Sequence, residues 1–212
     1  MTFFIKSVKV IKVKQGKEGI NLFKKKISAI ITVISIMSIG APTAVYSSTV
    51  GDNVAKVVDV EAVTQEKTNW CWAASTKCIS DYLGGKGLSQ SAIVKSVKGS
   101  IVDKGASDAE IQEALENDGI NTTYKHGKLS YSRLRTDIIN DKPIEAVISW
   151  KKGGAHAIVL YGYSGRTTDS TNLVYYMNPG KDSTKFNIQE YNSFCDNNKF
   201  SWRSSFYDNT AE

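Results

Sequence analysis

The chain has 212 residues, enough for one domain with its own hydrophobic core and too few for two ordinary domains plus a leader. Its net charge of +6 and pI of about 9.1 suggest a nucleic-acid binder until the charge is located. Eight lysines and a single acid, Glu18, fall within residues 1–47, leaving 19 basic and 20 acidic residues for the rest, so the body of the chain is nearly neutral and no nucleic-acid partner is expected.

Residues 1–47 are expected to be an export leader. The cluster Lys24, Lys25 and Lys26 precedes an apolar run from Ile27 to Ile39, and small residues follow around Ala41, Ala44 and Ser47. Crossing a hydrocarbon core takes roughly 20 apolar residues. This run spans 13, which suits cleavage better than a permanent span; a retained short anchor is the alternative. The basic stretch ahead of it is long for a signal, which favours a translation start near Asn21 or Leu22. The expected product is residues 48–212, secreted or held at the cell surface, monomeric and without stable membrane association after cleavage. Three cysteines is an odd number, so in an oxidising compartment at least one thiol is left over. Cys78 and Cys195 either pair, leaving Cys71 free, or stay reduced and buried.

Residues 48–63 alternate through Val54, Val57, Val58, Val60 and Val63, which predicts an edge strand. From Cys71, small and apolar residues recur at Ala74, Ser75, Cys78, Ile79, Tyr82 and Leu83, a helical spacing that Gly84-Gly85 ends. Thr68 or Asn69 is the expected cap. Further helices are predicted after Ser89, from Ser107 with Glu110 completing a capping box, and from about Ser130 to Asp141 ahead of Pro143. Strands follow over Ile144 to Trp150, Ala155 to Tyr163, Leu173 to Met177, Phe186 to Ile188 and Phe200 to Phe206. Helices first and strands second predict an α+β fold, with a helical half packed on an antiparallel sheet.

Cys71 falls in the first turn of its predicted helix, where free N–H groups and the macrodipole favour a thiolate, and Trp70 and Trp72 flank it as a shield from water. By itself such a cysteine is more often a core residue, so the reading depends on its partners. The chain has two histidines. His126 lies in the polar stretch Lys125 to Lys128 and reads as a solvated turn, whereas His156 opens a buried strand after Gly153-Gly154 and is the candidate base. A hairpin closing between Tyr163 and Thr171 places Asn178 opposite His156, within reach of a hydrogen bond. Gln65, in the loop before the helix, is a candidate oxyanion donor beside the Cys71 N–H. No metal or cofactor is expected, because the histidines and cysteines lack zinc spacing.

The run Gln65 to Ala74, with Ala155-His156-Ala157, Gly162-Tyr163 and Asn178-Pro179 downstream, resembles the bacterial branch of papain-like cysteine peptidases, which includes secreted effector proteases and peptidase domains that trim bacteriocin leaders. The resemblance covers roughly residues 57–180. It implies a papain-like fold and hydrolysis of a protein or peptide substrate through a thioester, with Cys71 attacking, His156 moving the proton, Asn178 orienting His156 and Gln65 in the oxyanion hole. Asn178 departs from the larger papains in being followed by Pro179 instead of Ser-Trp. An amidase, deamidase or transglutaminase using the same residues is the alternative enzyme, and a catalytically silent binding module or toxin on the same fold is the alternative from another class.

Overall fold

The computed structural model describes residues 55–168 and 171–212, within the compact unit Thr49–Glu212. The expected leader lies outside the described residues, as does the start of the predicted edge strand. In chain order the elements are β1 (Ala55–Val57), α1 (Cys71–Leu83), α2 (Gln90–Lys98), α3 (Asp108–Asn117), β2 (Ile120–His126), α4 (Tyr131–Ile139), β3 (Ile144–Trp150), β4 (Ala155–Ser164), β5 (Leu173–Met177), β6 (Phe186–Glu190), α5 (Tyr191–Cys195) and β7 (Phe200–Ala211). The fold is α+β. Three helices lie between β1 and the other six strands of a seven-stranded antiparallel sheet ordered β2-β7-β3-β4-β5-β6, in which β1 pairs with β4 over Gly162 to Ser164, past the end of its pairing with β3.

Each helix is delimited by local chemistry. Ser89 and Ser130 cap α2 and α4 by accepting from Ala92 N and Arg133 N. The box between Ser107 and Glu110 is formed in both directions at α3. Gly84, at φ 82°, ends α1 in the left-handed conformation that glycine adopts without a Cβ penalty. The start of α1 is different. Trp70 occupies the cap position with no side-chain capping bond, and Asn69, expected as the cap, binds Asp103 instead: its N–H donates to Asp103 Oδ1 at 2.8 Å and its Nδ2 to Asp103 O at 3.2 Å. The first-turn N–H groups of α1 are therefore not consumed by a cap.

Two elements go beyond the sequence pattern. β2 is a mostly exposed strand rich in Thr and Asn, held by its ladder with β7 instead of by an apolar face; His126 ends it opposite Ser204, away from the other candidate residues. The short helix α5 places Phe194 against Tyr176, Phe200 and Trp202, closing one face of the sheet with an aromatic cluster. α1 lies against the opposite face, over β4 and β3, where Thr76 Oγ1 donates to Glu145 Oε2 at 3.2 Å.

Candidate active site

The N-terminus of α1 ends at the rim of the sheet where β4 begins. Cys71 and His156 line one cavity of about 240 Å³ together with Asn69, Trp72, Gly105, Ala106, Gly154 and Ala157. Its far wall is the loop 102–106, tied down by two buried indoles: Trp70 Nε1 donates to Val102 O at 2.8 Å and Trp72 Nε1 to Lys104 O at 3.1 Å. The tryptophans expected to shield the thiol thus also build the wall that faces it.

The backbone N–H groups of Ala157, Trp72 and Cys71 itself are oriented to favour an anion at the Cys71 sulfur. The first of these belongs to the residue after His156, so the strand that carries the histidine borders the same cavity as the helix tip. The helix terminus was expected to lower this thiol, but burial dominates and pushes it up, while the three N–H groups oppose the rise; Glu145 would raise it further only when ionised. Burial likewise lowers the His156 imidazole, against its hydrogen bond to the Asn178 side-chain oxygen, which raises it. Both directions favour uncharged groups in the resting site.

His156 Nε2 is 2.8 Å from Asn178 Oδ1, which also accepts from Gly180 N at 2.9 Å. This leaves Nδ1 as the ring nitrogen free for the thiol. The contact arises from a register other than the expected one. Val159 pairs with Met177 and Tyr163 with Val174, with a bulge between Leu160 and Gly162, so the ladder would carry Asn178 opposite Ile158 instead of His156. An offset of two residues preserves the face of the sheet, and the diagonal pair still meets. Strand alternation puts Ile148, Trp150 and His156 on that same face, and the Trp150 ring lies near-parallel to the imidazole with centroids 6.3 Å apart. Trp150 was not singled out from sequence; its place at a strand end just before Gly153-Gly154 was the available signal.

Gln65 is buried beside this site without entering the cavity. Its N–H donates to Pro179 O at 2.8 Å, tying it to the loop after Asn178, and its Nε2 donates to Lys67 O and Thr68 O at 2.8 and 2.6 Å. Both amide hydrogens are spent on its own loop. All three cysteines are free: Cys78 is buried in α1 with its Sγ on Glu61 O at 3.3 Å, and Cys195 is buried at the end of α5. Among the described residues no cluster of three His, Cys, Asp or Glu is arranged to hold a metal ion.

Solved structures share this architecture. The peptidase domain of Streptococcus ComA, a bifunctional ABC transporter involved in a quorum-sensing pathway, matches with a TM-score of 0.52 and 19% identity, over 72% of this chain and 99% of that one. UfSP from C. elegans matches with a TM-score of 0.51 and 12% identity, over 74% of this chain and 34% of that one. A double glycine motif protease from an AMS/PCAT transporter, in complex with the leader peptide, matches with a TM-score of 0.48 and 17% identity, over 72% and 94%. No curated protein sequence matches the chain. The family described as papain-like cysteine protease AvrRpt2 matches residues 53–198, well over half of the chain. The chain belongs to that family and is a papain-like cysteine peptidase.

Proposed function

We propose that the protein is a secreted cysteine endopeptidase in which Cys71, His156 and Asn178 form the catalytic triad. The observation that carries this reading is the meeting of a helix-tip thiol and an imidazole on one cavity, with Asn178 holding the opposite ring nitrogen at 2.8 Å. Burial opposes an isolated charge on either partner, so the thiolate forms together with the imidazolium, each charge stabilising the other. The proton passes from Cys71 Sγ to His156 Nδ1 as the sulfur attacks the peptide carbonyl carbon. The Cys71 N–H and the Gln65 amide stabilise the oxyanion, Gln65 exchanging one of its loop carbonyls for it when substrate binds. Collapse breaks the C–N bond, and the leaving nitrogen takes the proton from Nδ1. Water then attacks the thioester while Nδ1 accepts its proton, and the thiol is restored.

Secretion rests on the basic, apolar and small-residue layout of residues 1–47, and the expected substrate is a protein or peptide. A monomer without stable membrane association completes the reading. Treating the mature protein with an epoxide inhibitor of cysteine proteases should label Cys71, and casein hydrolysis should vanish in Cys71→Ala. A label on another residue would sink the assignment, and lysis of peptidoglycan without proteolysis would identify an amidase instead.

A further inference from the structure

A second cleft, of about 420 Å³, opens next to the catalytic cavity and is lined by Trp150, Lys152, Gly153, Asn198 and Lys199. The two approach each other at the β3–β4 hairpin tip, where Gly153 lines one and Gly154 the other. Those glycines, at φ 98° and 86°, let the tip bend without side chains between the two. The walls are fixed. Lys151 N donates to Lys199 O at 2.8 Å, Asn197 Oδ1 accepts from Lys199 N and Phe200 N, and the Trp150 ring stands edge-on to Phe200 at 5.7 Å. Trp150 is nonetheless 40% exposed, an indole offered to solvent beside the imidazole.

We infer that this cleft receives the leaving half of the peptide and selects acidic side chains there. The inference rests on the peptidase reading, because that chemistry fixes the direction of the chain. His156 hands its proton to the leaving nitrogen, so the residues after the scissile bond run out past the imidazole, whose neighbour on the β3 side is Trp150. The acyl half lies toward Asn69, Gly105 and Ala106. Charge at the cleft is one-sided. Lys151 is paired with Asp196 at 2.6 Å, whereas Lys152 and Lys199 on the rim have no ion pair among the described residues. A cleft lined by an indole and two lysines fits a side chain whose methylene stem packs on the indole and whose carboxylate meets the lysines.

The test is to digest a proteome-derived peptide library with the mature enzyme and map the cleaved bonds by mass spectrometry, then repeat it with the double variant Lys152→Glu, Lys199→Glu. Both sites are exposed, so folding is not at stake. In matched quenched peptides differing only in the two residues after the cleaved bond, kcat/KM should favour Glu over Lys on the order of tenfold, and the double variant should reverse that order. Efficient cleavage with the same leaving-side profile in both proteins would overturn the inference and leave the peptidase reading standing. Absence of any cleavage together with failure of Cys71 to label would remove both.

Discussion

Cys71 and Cys78 sit two turns apart on the same helix, and the difference between them is the ground for proposing one and not the other as the nucleophile. Burial raises both, Cys78 to about 12. At pH 8 that leaves about one Cys78 thiol in ten thousand ionised. Cys78 faces the Glu61 carbonyl, which takes its hydrogen bond but not its proton. Cys71 stands at the open end of the helix among three N–H donors, in a cavity it shares with an imidazole. Helix position alone does not overcome burial here. Reactivity is expected where a base waits to receive the proton.

The sharpest way to break this comparison is to remove each thiol in turn. Cys71→Ala should lower kcat/KM by at least about 10⁴-fold and abolish epoxide labelling, as expected when the atom that forms the covalent intermediate is lost. Cys78→Ala should keep both, at a cost of about 1 kcal/mol in thermal stability from the small void it leaves. Comparable loss of activity in the two variants would mean that the distinction drawn between them is wrong.

A smaller effect is expected one step removed, at the residue proposed to orient the base. Asn178→Ala frees His156 Nε2 and should reduce kcat by about 10²-fold. The pH profile carries more information than the rate. The Asn178 bond raises the imidazole, so its loss lets burial depress the group further and moves the acid limb of the rate profile, where the base becomes protonated, to lower pH. Asn178→Asp places a negative charge beside the ring, and should restore most of the rate while moving that limb upward. An unmoved limb in both variants would leave Asn178 a packing residue only.

Much of the helical half was legible because its signals are local. The apolar spacing from Cys71, the Gly84 stop and the Ser107–Glu110 box are contained within single elements, and the structure realises each of them. The site was legible as a set of residue types, but its contacts depend on strand register, which a bulge at Tyr161 shifts without any mark in the surrounding residues. His156 and Asn178 meet because an offset of two keeps them on one face, so the expectation held for a reason other than the one that produced it. β2 was missed because its residues are polar and its stability comes from pairing with β7, near the end of the chain. Gln65 illustrates the same limit at side-chain scale, since nothing in its neighbours signals that both amide hydrogens turn back onto the loop. Trp150 and Glu145 acquire meaning only from partners on other strands and helices.

Glu145 provides the finest test of how burial sets charge around the nucleophile. It is fully buried on β3 beneath α1; Oε2 accepts from Thr76, while Oε1 has no hydrogen-bond partner among the described residues. Burial pushes its carboxyl well above the usual range, only partly offset by the Thr76 bond. The native protein therefore holds this proton more tightly than the unfolded chain does. Its contribution to stability is fully present below the unfolded carboxyl pKa of about 4.3 and is lost progressively as pH rises toward the folded value. Glu145→Gln keeps the shape and cannot ionise, so the variant should gain on the wild type with rising pH. The melting temperature of the variant relative to the wild type is expected to rise steadily between pH 4 and pH 8. Because a buried amide has its own constant cost, the slope of the difference decides the matter, not its value at one pH. Parallel melting curves for the two proteins would mean that Glu145 is ionised in the native state, with a compensating charge nearby. The sheet beneath Cys71 would then carry a negative charge that any thiolate must overcome.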